Sequence, residues 1–532
     1  MDLKGPDTGS VLALNAIGKQ DPYLLHDSPT HSFFNYEYNQ HTNFTKYHKS
    51  ITVSKPSNAS TTWPFGESIK VTLNPQNMGD LLSNMYVHLE FPKVESNANI
   101  ADQIGRHVIE TVTMRVDELE LEKYHDDWGI IYDELYLDAS EKRTKRYTLN
   151  RNQAEGTSHK NDATLSRYPS QLMIPIPLFF SRKYEGDEYA SNSPNRPYFP
   201  TCAIHKQKLE FEIKFRPATF FTNNPSFSPL TLDKFSVITE EITVSAQEKS
   251  FLTTKQQVLI TDVVKKHPSI ETEIGEDNIK LQLVPDIPVK SMFWFLRRKD
   301  FEDENEHGSP SNLGTGDTDV LERKFENRYN FSTSNTFNVI NEFFRPIQES
   351  AKLYINGQDL PNINNPDHTF YKYVVPYNSR LSKPDRNIYT YAFAMNPINV
   401  EPSGSLDFSK LNSDRTILDI SLTPNLTNVY TLNMYYVGYQ TFLFDRGFMS
   451  GVGMSADRYI PTLDDFNVMP SGPLGGRPRP TDAGVGNLLQ LKEESTPSGP
   501  LGGRPRPTGA GVGNLLQLKK ESTSSGIEGY SL

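Results

Sequence analysis

The chain has 532 residues and a formal net charge of −11, with 36% hydrophobic, 22% charged and 11% aromatic side chains, 26 Tyr and 30 Phe among them. This is a globular composition rich in strand-favouring types, and its negative balance argues against sequence-specific nucleic-acid binding. A single cysteine, Cys202, excludes an intramolecular disulfide and a Cys-based zinc site, and no run of about 18 apolar residues exists to cross a membrane.

The opening "MDLKGPDTGSVLALNAIGKQ" lacks a basic start followed by a long apolar core, so no secretory signal is expected. From Gln20 to His48 the chain is aromatic and polar, with His26, His31, His41 and His48 but few aliphatics. Residues 1–48 read as an N-terminal arm. Tyr23, Phe33, Phe34, Tyr36 and Tyr38 give it contact area at low entropy cost, for a neighbouring surface or for its own first domain.

Period-two alternation dominates from there on. "ESIKVTL" and "NMYVHLEF" read as half-buried strands. "HVIETVTMRVDELELEKY" changes phase: Val112, Met114 and Val116 share one face, then Leu119 and Leu121 take over, so a turn or bulge is expected near Asp117 and Glu118. "HDDWGIIYDELYLD" is the best helix, with Trp128, Ile131, Tyr132 and Leu135 on one face and Asp126 or Asp127 as its N-cap. "HKQKLEFEIKFR" alternates most cleanly. Leu209, Phe211, Ile213 and Phe215 face inward, and Lys208, Glu210, Glu212, Lys214 and Arg216 face outward. "DNIKLQLVP" alternates again, whereas "PVKSMFWFLRR" is apolar on both faces and predicts a strand covered on both sides. "IYTYAFAMN" and "NVYTLNMYYVGY" complete the strands.

Long polar segments at about 140–168, 183–200, 217–235 and 300–318 read as surface loops on a β scaffold. The end of the chain differs in kind: residues 470–496 recur as 497–523, changed only at Asp482 versus Gly509 and Glu493 versus Lys520. Rich in Gly and Pro, residues 456–532 read as a flexible tail. The resulting division is an arm (1–48), a first sandwich (49–217), a linker (218–250), a second sandwich (251–455) and the tail.

Candidate chemistry is sparse. There is no G-x-S-x-G elbow and no phosphate-cradling glycine loop. Cys202, three residues before His205, reads as a buried structural thiol. His125, Asp126 and Asp127 are metal-ligand types, but two Asp at a helix start read as caps. The four histidines of the arm lack converging spacing, "EDENE" lacks that of a calcium loop, and the two "GRPRP" elements read as spacer or weak docking peptide. No catalytic, cofactor-binding or metal residue is assigned, no cofactor is expected, and the chain reads as a non-enzyme.

The order of blocks resembles the major capsid proteins of nucleocytoplasmic large DNA viruses. "LALNAIGKQDPYLLHDSPTHSFFNYEYNQHTNFTKYHKS" is similar to their N-terminal signature, and "SIKVTLNPQNMGDLLSNMYVHLEFP" and "GRHVIETVTMRVDELELEKYHDDWGIIYDEL" to the next two blocks. "MIPIPLFFSRKY" with "NRPYFPTCAIHKQKLEFEIKF" resembles the pair closing the first half. "IPVKSMFWFLRR", "YTYAFAMNPINVEPSGSLDFSKLN" and "VYTLNMYYVGYQTFLFDRGFMSGVGM" resemble blocks of the second half. The likeness covers about residues 12–455. The chain departs from the family pattern in having Asp117-Glu118 where Gly-Gly is usual, in Asp407 where Asn is common, and in its duplicated tail.

The resemblance implies an all-β fold of two consecutive eight-stranded jelly-roll sandwiches with few short helices and long loops. It implies a homotrimeric, pseudo-hexagonal capsomer tiling an icosahedral shell of the virion, with assembly in the host cytoplasm. The implied partners are the chain itself, neighbouring capsomers, minor capsid and penton proteins, and an internal viral membrane. The alternatives are a double jelly-roll scaffold that shapes a membrane during assembly, a minor capsid paralogue, and a glycan-binding or glycan-processing β-sandwich protein.

Overall fold

The alternating segments pair into four sheets, each built on four principal strands. A computed structural model describes residues 42–53, 63–91, 104–142, 144, 170–183, 197–217, 220, 231–302 without 233, 328–333, and 345–452 without 364. His26, His31, His41, the aromatic arm residues before Thr42, the "EDENE" loop beyond Glu302 and the duplicated tail lie outside the described residues.

The first sandwich has eight principal strands: β1 Phe44–Thr52, β2 Ser68–Leu73, β3 Leu81–Phe91, β4 Ile109–Val116, β5 Leu119–His125, β6 Ser170–Pro175, β7 Leu209–Phe215 and β8 Lys234–Val244. They form two antiparallel sheets, ordered β1-β8-β3-β6 and β2-β7-β4-β5. The chain therefore crosses between sheets repeatedly, as a jelly roll requires. Alternation does the sorting. On β7, Leu209, Phe211, Ile213 and Phe215 are buried, and Phe211 lies opposite Val71 on β2 and Met114 on β4.

The second sandwich repeats this order with β9 Gln257–Lys266, β10 Asn278–Gln282, β11 Pro288–Arg298, β12 Gln348–Ile355, β13 Gln358–Leu360, β14 Tyr389–Ala392, β15 Ile417–Leu422 and β16 Tyr430–Asp445. Its sheets run β9-β16-β11-β14 and β10-β15-β12-β13, strand for strand the pattern of the first. An added strand, β17 Phe448–Val452, folds back on β16 through a tight turn in which Arg446 and Gly447 take φ of +48° and +95°. The turn packs on the first sandwich: a Cβ on Gly447 would lie 2.6 Å from the His205 ring, and Met449 N–H donates to Gln207 Oε1.

Three helices shape the contact between the sandwiches: α1 Ile104–Val108, α2 Asp126–Leu135 and α3 Ala246–Thr254. The phase change falls where the sequence puts it. Asp117 and Glu118 form the β4–β5 turn, Asp117 at φ +52° with its carboxylate accepting from Lys208 N–H at 2.9 Å. Asp tolerates this left-handed conformation better than most residues. A bulge between Met114 and Arg115 shifts the register, so Leu121 is buried but Leu119 is not.

Other expectations are corrected. The expected linker 218–250 contains β8, which pairs with both β1 and β3 at the centre of a sheet. Buried Glu240 and Glu241, astride a bulge, hide its alternation. α3, capped by Ser245 accepting from Glu248 N–H, makes the passage to the second sandwich. Phe44–His48, assigned to the arm, are the first half of β1. Of "IYTYAFAMN" only Tyr389–Ala392 is strand, and "NVYTLNMYYVGY" belongs to a strand running on to Asp445.

Candidate functional site

β11 explains why its sequence is apolar on both faces. Met292, Trp294 and Leu296 turn into the second sandwich's core, while Phe293, Phe295 and Arg297 turn out of it. Every residue from Val289 to Arg297 is nonetheless buried. What covers the outer face is the first sandwich. Trp128 on α2 stacks edge-on to Phe293 at 5.8 Å and lies 6.2 Å from Tyr435, and Phe179 and Phe199 pack against Phe442 and Phe444. Aromatic pairs at these separations add stabilisation beyond the area they bury.

The rim of this contact is a chain of buried ion pairs between the sandwiches. Asp126 accepts from Arg328 at 2.7 Å, from Arg216 at 2.9 Å and from the Tyr329 hydroxyl at 3.1 Å. Asp127 accepts from Arg297 at 2.7 Å and 3.4 Å, and Arg297 also binds Glu302 and the Arg328 carbonyl. Glu122 on β5 accepts from Arg182 at 2.8 Å and from the Val264 N–H on β9 at 3.0 Å, while Arg182 reaches the Asp262 carbonyl. Lys290 bridges Asp262 and the Asn399 carbonyl. Arg386 binds Glu134 at the far end of α2. Behind α2, Arg106 holds Asp133 with a two-pronged contact and the Tyr124 hydroxyl.

Burial would lift the Asp126 carboxyl, but Arg216 and Arg328 more than offset it and hold it well below the usual range; Arg297 does the same for Asp127. Around Glu122 and Asp262 burial wins and raises both carboxyls despite Arg182 and Lys290, and it lowers the Lys290 ammonium. Buried pairs of this kind add little net stability but strongly penalise any docking that leaves one member unpaired. The seam therefore fixes one relative placement of the two sandwiches.

Two histidines packed in the seam make it acid-sensitive. Burial, with Arg328 and Arg216 nearby, lowers His107 to about 3; burial and Lys266 lower His125 to about 4. Both are neutral in the folded chain. Below the ordinary histidine value of about 6.5 the unfolded chain binds their protons and the folded chain does not, so stability falls as pH falls. Asp126 and Asp127, depressed in the fold, add their own loss only below their ordinary value of about 3.9. We expect stability to drop by about 1.4 kcal/mol per pH unit for each histidine between pH 6 and 4.5. Urea titrations of His107→Gln and His125→Gln should each show a shallower slope than the wild type. Unchanged slopes in both would refute the assignment.

Asp126 and Asp127 are not caps, contrary to the sequence expectation: the N-cap is His125, with no side-chain hydrogen bond, and both carboxylates are consumed by arginines. Arg216, expected on a solvent face, is buried against Asp126. Cys202 is buried, and burial pushes its thiol up to about 12, the opposite of what a nucleophile needs. His205 contacts the Cys202 carbonyl rather than its sulfur. His48 is exposed on β1, 3.3 Å from Glu240. Among the described residues no three His, Cys, Asp or Glu side chains converge as a metal set. A cleft of about 610 Å³ between α3, the Cys202 turn and the β16–β17 turn is lined by Asp80, Cys202, His205, Lys206, Lys249 and Arg446. It brings together no base and activated nucleophile. Arg182, Lys290, Arg297 and Arg328 carry no local signal of their role in the sequence, beyond a pair of arginines ending an otherwise apolar strand.

Comparison with known proteins agrees with this architecture. The family model for the major capsid protein N-terminus matches residues 32–254, and that for the large eukaryotic DNA virus major capsid protein matches residues 248–441. The major capsid protein of Paramecium bursaria Chlorella virus 1 is 23% identical over 419 residues, 76% of this chain and 86% of the relative. That of Pyramimonas orientalis virus is 21% identical over 448 residues, 80% of this chain and 95% of the relative. Among solved structures, a chain of the PBCV-1 virus capsid superposes with a TM-score of 0.61 at 16% identity, covering 79% of this chain and 99% of its own. The Faustovirus major capsid protein gives 0.54 at 10% identity, covering 78% and 93%. At these identities the superpositions speak for the fold alone.

Proposed function

The chain belongs to the major capsid proteins of large eukaryotic DNA viruses, structural proteins of the virion shell and not enzymes, and from that premise we propose that it works as a homotrimer. The reading rests on one observation: two sandwiches of identical strand order are locked side by side by the buried seam. Three such chains present six similar bodies, so a threefold particle fills a sixfold position in an icosahedral lattice. Each sandwich is rigid, and the seam removes the freedom between them that would blur the lattice.

On this reading the first sandwich runs from β1 to β8, the second from β9 to β17, and α3 joins them. The segment before β1 and the duplicated tail after β17 serve contacts outside the sandwiches. Neighbouring capsomers, minor capsid and penton proteins and an internal membrane are the partners, and assembly takes place in the host cytoplasm. Contacts within the trimer are of the obligate type, burying on the order of 2,000–5,000 Å².

Light scattering on the purified soluble chain tests the proposal. The expected mass is that of three chains, unchanged on tenfold dilution. A stable single-chain mass under all solution conditions would remove the lattice argument.

A further inference from the structure

The seam inside the chain is a template for a contact between chains. Within the chain, α2 and the segment after β6, both from the first sandwich, cover the outer face of the second sandwich's β9-β16-β11-β14 sheet. The first sandwich has a sheet of the same strand order, β1-β8-β3-β6, whose outer face nothing among the described residues covers in this way. Strand partners share a face, so the pairings His48–Glu240–Asn84, Ser50–Ile238–Tyr86 and His88–Met173 place these side chains together, opposite the core-facing Val87, Ile174 and Val237. Met173 there is 45% exposed, whereas Phe293 and Tyr435 on the corresponding covered face are fully buried.

The second sandwich also carries the segments that correspond to α2 and to the stretch after β6. Between β13 and β14 the chain makes helical turns at Phe370–Val374 and Val375–Asn378, and after β14 it passes through Met395. These segments hold the most exposed large apolar side chains among the described residues, Met395 at 90% and Tyr377 at 82%, with Val374 at 44%. A protein gains nothing by leaving such side chains in water unless something covers them. Among its described residues, each chain thus has one unused donor surface and one unused acceptor face, of the kinds already joined within it.

We infer that Val374, Tyr377 and Met395 of one copy dock on the outer β1-β8-β3-β6 face of the next copy's first sandwich, around Tyr86, Met173 and Ile238. The occupant is a second copy of this chain. A head-to-tail contact that repeats the internal rotation closes into a ring after three chains. The acceptor face is more polar than its internal counterpart, with His48, Ser50 and Asn84 where the other sheet has Phe293 and Phe295. That difference suits a surface that must stay soluble before assembly.

The inference rests on the trimer reading, and the test separates the two. Met173→Glu and Tyr377→Glu are made in the full chain, with Ile274→Glu as a control, since Ile274 is 71% exposed elsewhere. Light scattering is run at a concentration where the wild type is wholly trimeric. Each of the first two variants should cut the trimer fraction at least tenfold with an unchanged monomer melting profile, and the control should leave it intact. As a second measurement, hydroxyl-radical footprinting of wild-type trimers should show Tyr377, Met395 and Met173 protected at least fivefold relative to the Met173→Glu monomer, and Ile274 not. Wild-type trimers unaffected by both variants, or reactive at these residues, overturn the surface assignment alone. A wild type that never trimerises overturns the trimer reading together with it.

Discussion

Replacing Arg297 by methionine is expected to destabilise the folded chain by about 3–5 kcal/mol, the usual cost of stranding a buried charge. Arg297 is 2% exposed and is the main partner of both Asp127 and Glu302. The nearest remaining cation, Arg328, is 3.9 Å from Asp127 and already committed to Asp126. The double change Asp127→Leu with Arg297→Met should recover much of the loss, because a desolvated ion pair and an apolar pair of similar size are close in free energy. Urea unfolding of the wild type, both single variants and the double variant measures the coupling. If Arg297→Met alone costs less than about 1 kcal/mol, the seam does not hold the sandwiches in place.

Trp128→Ala should cost a similar amount, about 3–5 kcal/mol, by opening a cavity where α2 meets the second sandwich. The ring is 1% exposed and touches Phe293, Tyr435 and Tyr136. Its indole N–H has no hydrogen-bond partner among the described residues, so the residue contributes shape and not polarity. Trp128→Phe is therefore expected to cost less than half as much in a thermal melt. Equal losses for Ala and Phe would mean that the indole nitrogen has a partner after all, a bound water being the simplest.

The strands are legible because burial on one side of a sheet writes a period of two into the residues, as on β7. Even the double coverage of β11 can be read from its unbroken apolar run. The seam cannot. Asp126 and Asp127 carry the local signature of a helix start, and nothing nearby in sequence says that Arg216, Arg297 and Arg328 will reach them. Arg216 misleads because it continues the alternation of β7 one residue past the strand's end, where the chain has turned inward. β8 is hidden for a related reason: Glu240 and Glu241 look like solvent-facing residues, yet Ser83, Asn84 and Lys46 satisfy one, and Gly79, Thr239 and Tyr47 the other. Local pattern reports which side of an element is dry. It does not report which distant partner makes a buried charge tolerable.

The polar contacts of the seam join residues far apart in the chain, up to 308 positions in the case of Asp127 and Tyr435. During synthesis the ribosome delivers every strand of the first sandwich before Arg297 exists. The half-made protein must then wait with its mating surface bathed in solvent. Because much of that surface is ionic, the nascent intermediate offers other nascent chains a hydrated, mutually repelling patch instead of a greasy one. A shell protein made in very large numbers is thereby protected from clumping on polysomes before its second half arrives.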